Sequence, residues 1–75
     1  MRYNLVKCGT NMKNKKMMLA RLENDLSQAG LAKLVGVSRQ TIGLIESGEY
    51  NPTLKLCKAI CAALGKTLND LFWEE

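Results

Sequence analysis

The chain has 75 residues, with 11 lysines and arginines against 7 aspartates and glutamates, a net charge of +4 and no histidine. This length allows one domain with a single core of four or five short helices, and it leaves no room for a separate effector-binding domain or an enzyme-sized apolar pocket. Since there is also no apolar run near the ~18 residues of a membrane span and no secretory signal, we expect a cytoplasmic protein that is neither an enzyme nor a membrane protein.

Local sequence features predict an all-α fold. The chain contains one proline, and no run of alternating β-branched residues is long enough for a sheet.

The charge of the chain is unevenly distributed. Residues 1–40 carry eight basic and two acidic side chains, whereas residues 41–75 carry three basic and five acidic ones. A basic half beside an acidic tail indicates one side that faces phosphate and an opposite side that does not.

At the start of the chain, two interpretations of Tyr3, Leu5 and Val6 remain open, a short strand or a disordered extension. The first helix is predicted over 16–24. Met17, Ala20 and Asn24, spaced at i, i+3 and i+7, are expected to face the helix pair predicted over 28–35 and 39–47.

Two short helices with a tight turn between them are predicted next. Ser27 can cap a helix over 28–35, Gly36 can adopt the positive φ that ends it, and Ser38 can cap a second helix over 39–47. The small Ala32 permits a close crossing of the two axes. The apolar residues expected to close over a common core are Leu31, Leu34, Val35, Ile42 and Ile45.

The last third of the chain predicts two further helices. Pro52 prevents the second motif helix from continuing, and Thr53 can cap a helix that ends at Gly65. Thr67 followed by Asp70 is typical of a capped last helix over 68–72. The apolar positions of the longer helix are Leu54, Leu56, Cys57, Ile60, Cys61 and Leu64.

The three cysteines, Cys8, Cys57 and Cys61, form no C-x-x-C pair and have no histidine to complete a metal set. We therefore expect small buried apolar residues in a reducing compartment, with a redox or metal role as the alternative. No cofactor is predicted.

Residues and phrases of the predicted helix pair form a recognisable set: Gln28, Ala32, Gly36, Val37, Ile42 and Ile45, with SQ…LA, GVSRQTI and IESGEYNPTL. They resemble the helix-turn-helix of the phage repressor/Cro family, also called the Xre family. The likeness covers about Met12 to Trp73. It implies a lambda-repressor-like DNA-binding fold over 12–75, with the motif at about 28–47 and residues 1–11 as an extension. An αα-hairpin that binds no DNA is the alternative.

The resemblance also implies an ion pair, and at one position this chain departs from the family pattern. In the family, an arginine at the place of Arg21 pairs with a glutamate at the place of Glu46, a structural tie that sets the angle of the first helix. Relatives often carry glycine or lysine where this chain has Asp25, so the geometry of that turn is left open.

By the same resemblance, the chain is expected to be a transcriptional regulator of bacterial or phage type, most simply a repressor, that binds specific double-stranded DNA. Arg39, Gln40, Thr41 and Leu44 are left pointing outward at the start of the second motif helix, the end from which a helix contacts the major groove. Arg39 suits guanine, Gln40 suits adenine, and Leu44 can touch a thymine methyl group. The residues expected at the sugar-phosphate backbone are Ser27, Gln28, Thr41, Ser47, Tyr50 and Asn51.

One short helix contacts too few base pairs to select a genomic site, so we expect a homodimer on an inverted-repeat operator, associated with the nucleoid. Leu71, Phe72 and Trp73 are its candidate surface, and closure of the monomer core is the alternative role for the two aromatic residues. Two other functions stay open. One is a DNA-binding antitoxin with a protein partner, and the other is a protein-interaction module without a DNA function.

Overall fold

The computed structural model describes residues 13–73, and its regular elements in that range are five α-helices. They are α1 (Lys15–Glu23), α2 (Gln28–Val35), α3 (Arg39–Ser47), α4 (Leu54–Leu64) and α5 (Leu68–Leu71). The all-α bundle is confirmed. Tyr3, Leu5 and Val6, for which a short strand and a disordered extension were both left open, lie outside the described residues, as does the predicted extension 1–11. None of the helices described is long and apolar enough to cross a membrane.

The bounds of α2, α3 and α4 follow from local capping, as predicted. Hydroxyl groups of Ser27, Ser38 and Thr53 accept hydrogen bonds from backbone N–H groups of the first turns. The glycines that end these helices have φ values of 80°, 84° and 69° at Gly36, Gly48 and Gly65. A glycine takes this left-handed conformation without the Cβ clash that other residues meet, so each helix stops where the next turn has to begin.

The bounds of α1 differ by one residue at each end from the predicted helix over 16–24. The side chain of Asn14 caps α1 by accepting from the backbone N–H of Met17, and the helix ends at Glu23 with Asn24 as its C-cap. Asn24 is exposed, and its Nδ2 donates to the carbonyl of Leu64 at the end of α4. It therefore contacts α4 and does not face the motif as expected.

The core is formed by one apolar face from each helix. Its fully buried side chains include Met17, Leu31, Ile42, Ile45, Cys57, Ile60 and Phe72. The prediction for Leu34 was wrong, because its side chain is 62% exposed. The buried stripe of α2 passes through Leu31, Ala32 and Val35, and the i+3 position from Leu31 falls on the other side of Leu31 from that stripe.

At the C-terminal end, Thr67 and Asp70 form the predicted capping box of α5. The Thr67 bonds lower the pKa of the Asp70 carboxyl below its ordinary value. The helix ends at Leu71, one residue earlier than predicted. Leu71 and Phe72 are 3% and 0% exposed, since both side chains complete the monomer core. They are not available to a second copy, so the dimer surface predicted from them needs correction.

Cys57 and Cys61 are both free and buried on α4. Burial raises the pKa of the Cys61 thiol to about 11, so that thiol is protonated and unreactive at neutral pH. Within residues 13–73, no group of three or more candidate side chains could hold a metal ion.

Candidate nucleic-acid interface

Helix α3 presents its first turn outward while its other face is buried against α2. Ile42 and Ile45 are fully buried, whereas Arg39 and Gln40 are exposed and Thr41 and Leu44 are half-buried. The tight turn with Gly36 in the left-handed conformation sets the crossing of α2 and α3. Two long polar side chains therefore stand at the N-terminal end of the second helix of the pair.

Arg21 and Glu46 form an ion pair in the interior behind this surface. The Nε of Arg21 lies 2.8 Å from Oε2 of Glu46, and Nη2 donates to Oε1 at 3.3 Å. Their side chains are only 10% and 2% exposed. The third donor, Nη1, is bonded to the carbonyl of Leu26 at 2.8 Å. This bidentate geometry suits a guanidinium and a carboxylate, and it joins α1, the turn before α2 and α3.

Backbone contacts hold the same region. The backbone N–H of Asn14 donates to the carbonyl of Glu46 at 2.8 Å, so the start of α1 is attached to the last turn of α3. Asp25, in the turn between α1 and α2, has a φ of 57°. It takes the conformation that a glycine adopts with less strain, which answers the question left by its departure from the family pattern.

Gln28 connects the ion pair to the exposed end of α3. Its Nε2 donates to Oε1 of Glu46 at 3.1 Å, and its Oε1 accepts from Nη1 of Arg39 at 3.1 Å. The amide lies over Gly43, where a Cβ would be 3.6 Å from Gln28 Oε1. We call the series Arg39, Gln28, Glu46 and Arg21 the hydrogen-bond chain.

Three of the hydroxyl groups expected at the DNA backbone, those of Ser27, Thr41 and Ser47, already have intramolecular partners. Ser27 Oγ accepts from Gly30 N at 2.9 Å, and Ser47 Oγ donates to the carbonyl of Leu44 at 3.0 Å. Thr41 Oγ1 lies 2.9 Å from Oγ of Ser38. Tyr50 and Asn51 are exposed in the turn after α3. Each hydroxyl keeps acceptor capacity for other contacts, but its capping or turn role is what the structure displays.

Sequence reasoning missed the two links that Gln28 makes in the hydrogen-bond chain, although one signal could have revealed them. Gln28 is placed three residues before Leu31 and four before Ala32, on the stripe that α2 buries. A glutamine at the first turn of that stripe points toward α3 and not only toward a phosphate. Leu26 and Gly43 were also missed, since a backbone acceptor and a vacant Cβ leave no mark in a pattern of side chains.

Comparisons with known proteins support the likeness over the whole bundle. A family model described as helix-turn-helix matches residues 17–71, from α1 to the end of α5. An uncharacterized HTH-type transcriptional regulator of Bacillus subtilis is 45% identical over 64 residues, which cover 85% of this chain and 96% of that protein. The control protein C.MunI of a Mycoplasma species is 37% identical over 59 residues, covering 79% and 80%.

Among solved structures, the restriction-modification controller protein C.AhdI from Aeromonas hydrophila matches with a TM-score of 0.72. The identity is 28%, and the match covers 76% of this chain and 86% of that one. The two sequence relatives and the solved structure each match more than three quarters of this chain.

Proposed function

Because the chain belongs to the helix-turn-helix family of DNA-binding transcriptional regulators, we propose that it represses transcription as a dimer bound to an inverted-repeat operator. The observation that supports this most is the exposure of Arg39 and Gln40 at the start of α3, the end that enters a major groove in helix-turn-helix proteins. We assign the chain no catalytic activity, cofactor or metal, and we expect the protein in the cytoplasm, at the nucleoid.

Base contacts are assigned to three residues of α3. Arg39 can donate two hydrogen bonds to O6 and N7 of guanine, and Gln40 can both donate to and accept from the edge of adenine. Leu44 follows Gln40 by four residues, so it is on the same side of the helix and can meet a thymine methyl group.

Contacts to the sugar-phosphate backbone fix the position of α3 in the groove. Gln28 stands at the N-terminus of α2, where unpaired backbone N–H groups attract phosphate. Ser27, Thr41, Ser47, Tyr50 and Asn51 surround the same two helices and supply further polar groups.

The dimer is proposed on the small contact area of one α3 helix. A two-fold axis would place two copies of Arg39 in successive major grooves about 34 Å apart, with half-site centres about ten base pairs apart. Of the three residues predicted at the dimer surface, only Trp73 is partly exposed. Sedimentation of the wild type, free and with operator DNA, tests this part. A protein that stays monomeric in both conditions would exclude the dimer.

The DNA function is tested by sequencing genomic fragments that the purified protein selects, followed by binding measurements over a range of salt concentrations. Arg39→Ala should weaken specific binding by about 1–3 kcal/mol and relax the preference for one guanine in each half-site. Gln40→Ala is the matched control, because it should change the preference at a different base pair. Equal loss of affinity for all sequences would show that Arg39 contacts phosphate only.

Restriction–modification control is a second candidate, favoured by the names of two similar proteins, the control protein C.MunI and the restriction-modification controller protein C.AhdI. The same selected fragments test it. Promoters of methyltransferase or endonuclease genes among them would support this narrower role. An antitoxin would instead copurify with a small protein partner, and a protein-interaction module would show no salt-dependent DNA binding.

A further inference from the structure

The side-chain amide of Gln28 has a charged group at each end. Its Nε2 is 3.1 Å from the Glu46 carboxylate, and its Oε1 is 3.1 Å from Nη1 of Arg39. A carboxylate can only accept hydrogen bonds, and a guanidinium can only donate them. The amide therefore has one orientation in which both contacts are favourable. The flipped amide would set oxygen against oxygen at Glu46 and donor against donor at Arg39.

The orientation is decided at the Glu46 end, because that end is buried and fixed. Arg21 holds the carboxylate through two hydrogen bonds, and the Asn14 backbone N–H holds the carbonyl of the same residue. Arg39, by contrast, is exposed. A buried, doubly bonded group constrains its neighbour more strongly than a solvated one does.

We propose that Glu46 is a positioning residue for DNA sequence preference: it orients the Gln28 amide so that an acceptor faces residue 39 and holds the Arg39 guanidinium for its base. This inference rests on the proposed function, since it concerns base contacts by Arg39. The buried pair then has a role in DNA recognition besides holding the helices together. With its oxygen facing residue 39, the Gln28 amide suits a donor such as arginine at that position.

The contact with Gln28 leaves Arg39 able to bind guanine. A guanidinium has five N–H donors, and the Gln28 oxygen uses one on Nη1. The remaining donors suffice for a bidentate contact with O6 and N7. A side chain held in place before binding loses less conformational freedom on the DNA, so the fixed guanidinium should favour guanine over bases that would require another geometry.

Glu46→Gln tests the proposal because it keeps the shape and changes one end of the residue from acceptor to donor. The oxygen of the new amide, at the place of Oε2, keeps the 2.8 Å bond from Arg21 Nε. Its NH₂ group takes the place of Oε1, where it gives up the 3.3 Å bond from Nη2 and faces Gln28. Gln28 is expected to flip in response, which turns its own NH₂ toward Arg39 and removes the acceptor there.

The measurement is the affinity ratio between the selected operator and an operator with the Arg39 guanine replaced. We expect the wild-type ratio to fall by about tenfold in Glu46→Gln, the loss of one bidentate base contact. Gln28→Met should lower the ratio similarly. It removes the amide donor to Glu46 but keeps both hydrogen bonds between Arg21 and Glu46, and the double variant should lose no more than either single one. Ile45→Val is the control for destabilisation of α3, since it removes a buried methylene group next to Glu46 and should leave the ratio unchanged.

A second readout needs no DNA. Nuclear Overhauser contacts from the Gln28 Nε2 protons should be to Glu46 in the wild type and should shift to Arg39 in Glu46→Gln. Sequence-selective wild-type binding with an unchanged ratio in Glu46→Gln or Gln28→Met would overturn this inference alone. Wild-type binding without any sequence preference would overturn the proposed function, and the inference with it.

Discussion

Two residues near the end of α1 form ion pairs in different surroundings, one buried and one exposed. Arg21 points inward and meets Glu46 at 2.8 Å, with both side chains almost completely buried. Glu23 points to the α5 side and meets Lys66 at 3.6 Å, with exposures of 65% and 38%. A cleft of about 240 Å³ adjoins this second pair, so water has access to it.

The difference in burial matters because the distance between two opposite charges does not by itself determine how much an ion pair contributes to stability. Within residues 13–73, the two side chains of the buried pair make four hydrogen bonds: two with each other, one from Arg21 to the Leu26 carbonyl and one from Gln28 to Glu46. Losing one partner would strand the other in an interior that cannot solvate it. The exposed pair exchanges one solvated state for another, so its loss should change little.

The largest expected effect is therefore at Glu46. Glu46→Ala should lower the free energy of unfolding by about 3 kcal/mol, because it leaves the Arg21 guanidinium buried without its carboxylate. Thermal and denaturant unfolding of the variant and the wild type measure this loss.

A double-mutant cycle with Arg21→Ala isolates the pair from the separate cost of each truncation. Coupling near zero would mean that the two side chains act independently despite their geometry, and the contrast with the exposed pair would disappear.

The motif was predictable from the sequence because its boundaries are set locally. Ser27 and Ser38 supply cap oxygens, and Gly36 supplies the left-handed exit, so α2 and α3 have the predicted bounds. The ion pair behind them was foreseen only through resemblance to a family. Its residues are 25 positions apart, and no local pattern indicates that they meet.

Asp25 lies in the turn after α1, and we expect a change at this residue to have an intermediate effect on the free energy of unfolding. It leads from the end of α1 to Leu26, whose carbonyl accepts from Arg21. The left-handed conformation costs roughly 1–2 kcal/mol for a residue with a Cβ, while the flexibility of glycine in the unfolded chain offsets about 0.4–1 kcal/mol. Asp25→Gly should thus raise the free energy of unfolding by about 0.5–1 kcal/mol.

Asp25→Asn is the control, since it removes the charge and keeps a side chain that tolerates the left-handed region. Equal stabilisation by both changes in denaturant titrations would assign the effect to charge and not to backbone strain.

The C-terminal residues show where sequence reasoning lacks information. Leu71, Phe72 and Trp73 are three large apolar residues in a row, and their spacing cannot tell which of them the other helices will cover. The structure buries the first two because α5 ends at Leu71 and Phe72 turns back into the core. Leu34 was misplaced for a related reason, since an i+3 position can fall on either side of a buried stripe. Such choices depend on the packing of several helices.

The smallest effect on the free energy of unfolding is expected at the exposed pair of Glu23 and Lys66. Glu23→Ala should change the free energy of unfolding by no more than about 0.5 kcal/mol, because Glu23 and Lys66 are solvated both with and without each other. Added salt should reduce even that difference, whereas it should hardly alter the cost of Glu46→Ala. Unfolding of both variants at low and high ionic strength measures the contrast. A loss of 2 kcal/mol or more for Glu23→Ala would mean that the α5 side depends on its ion pair as much as the motif side does.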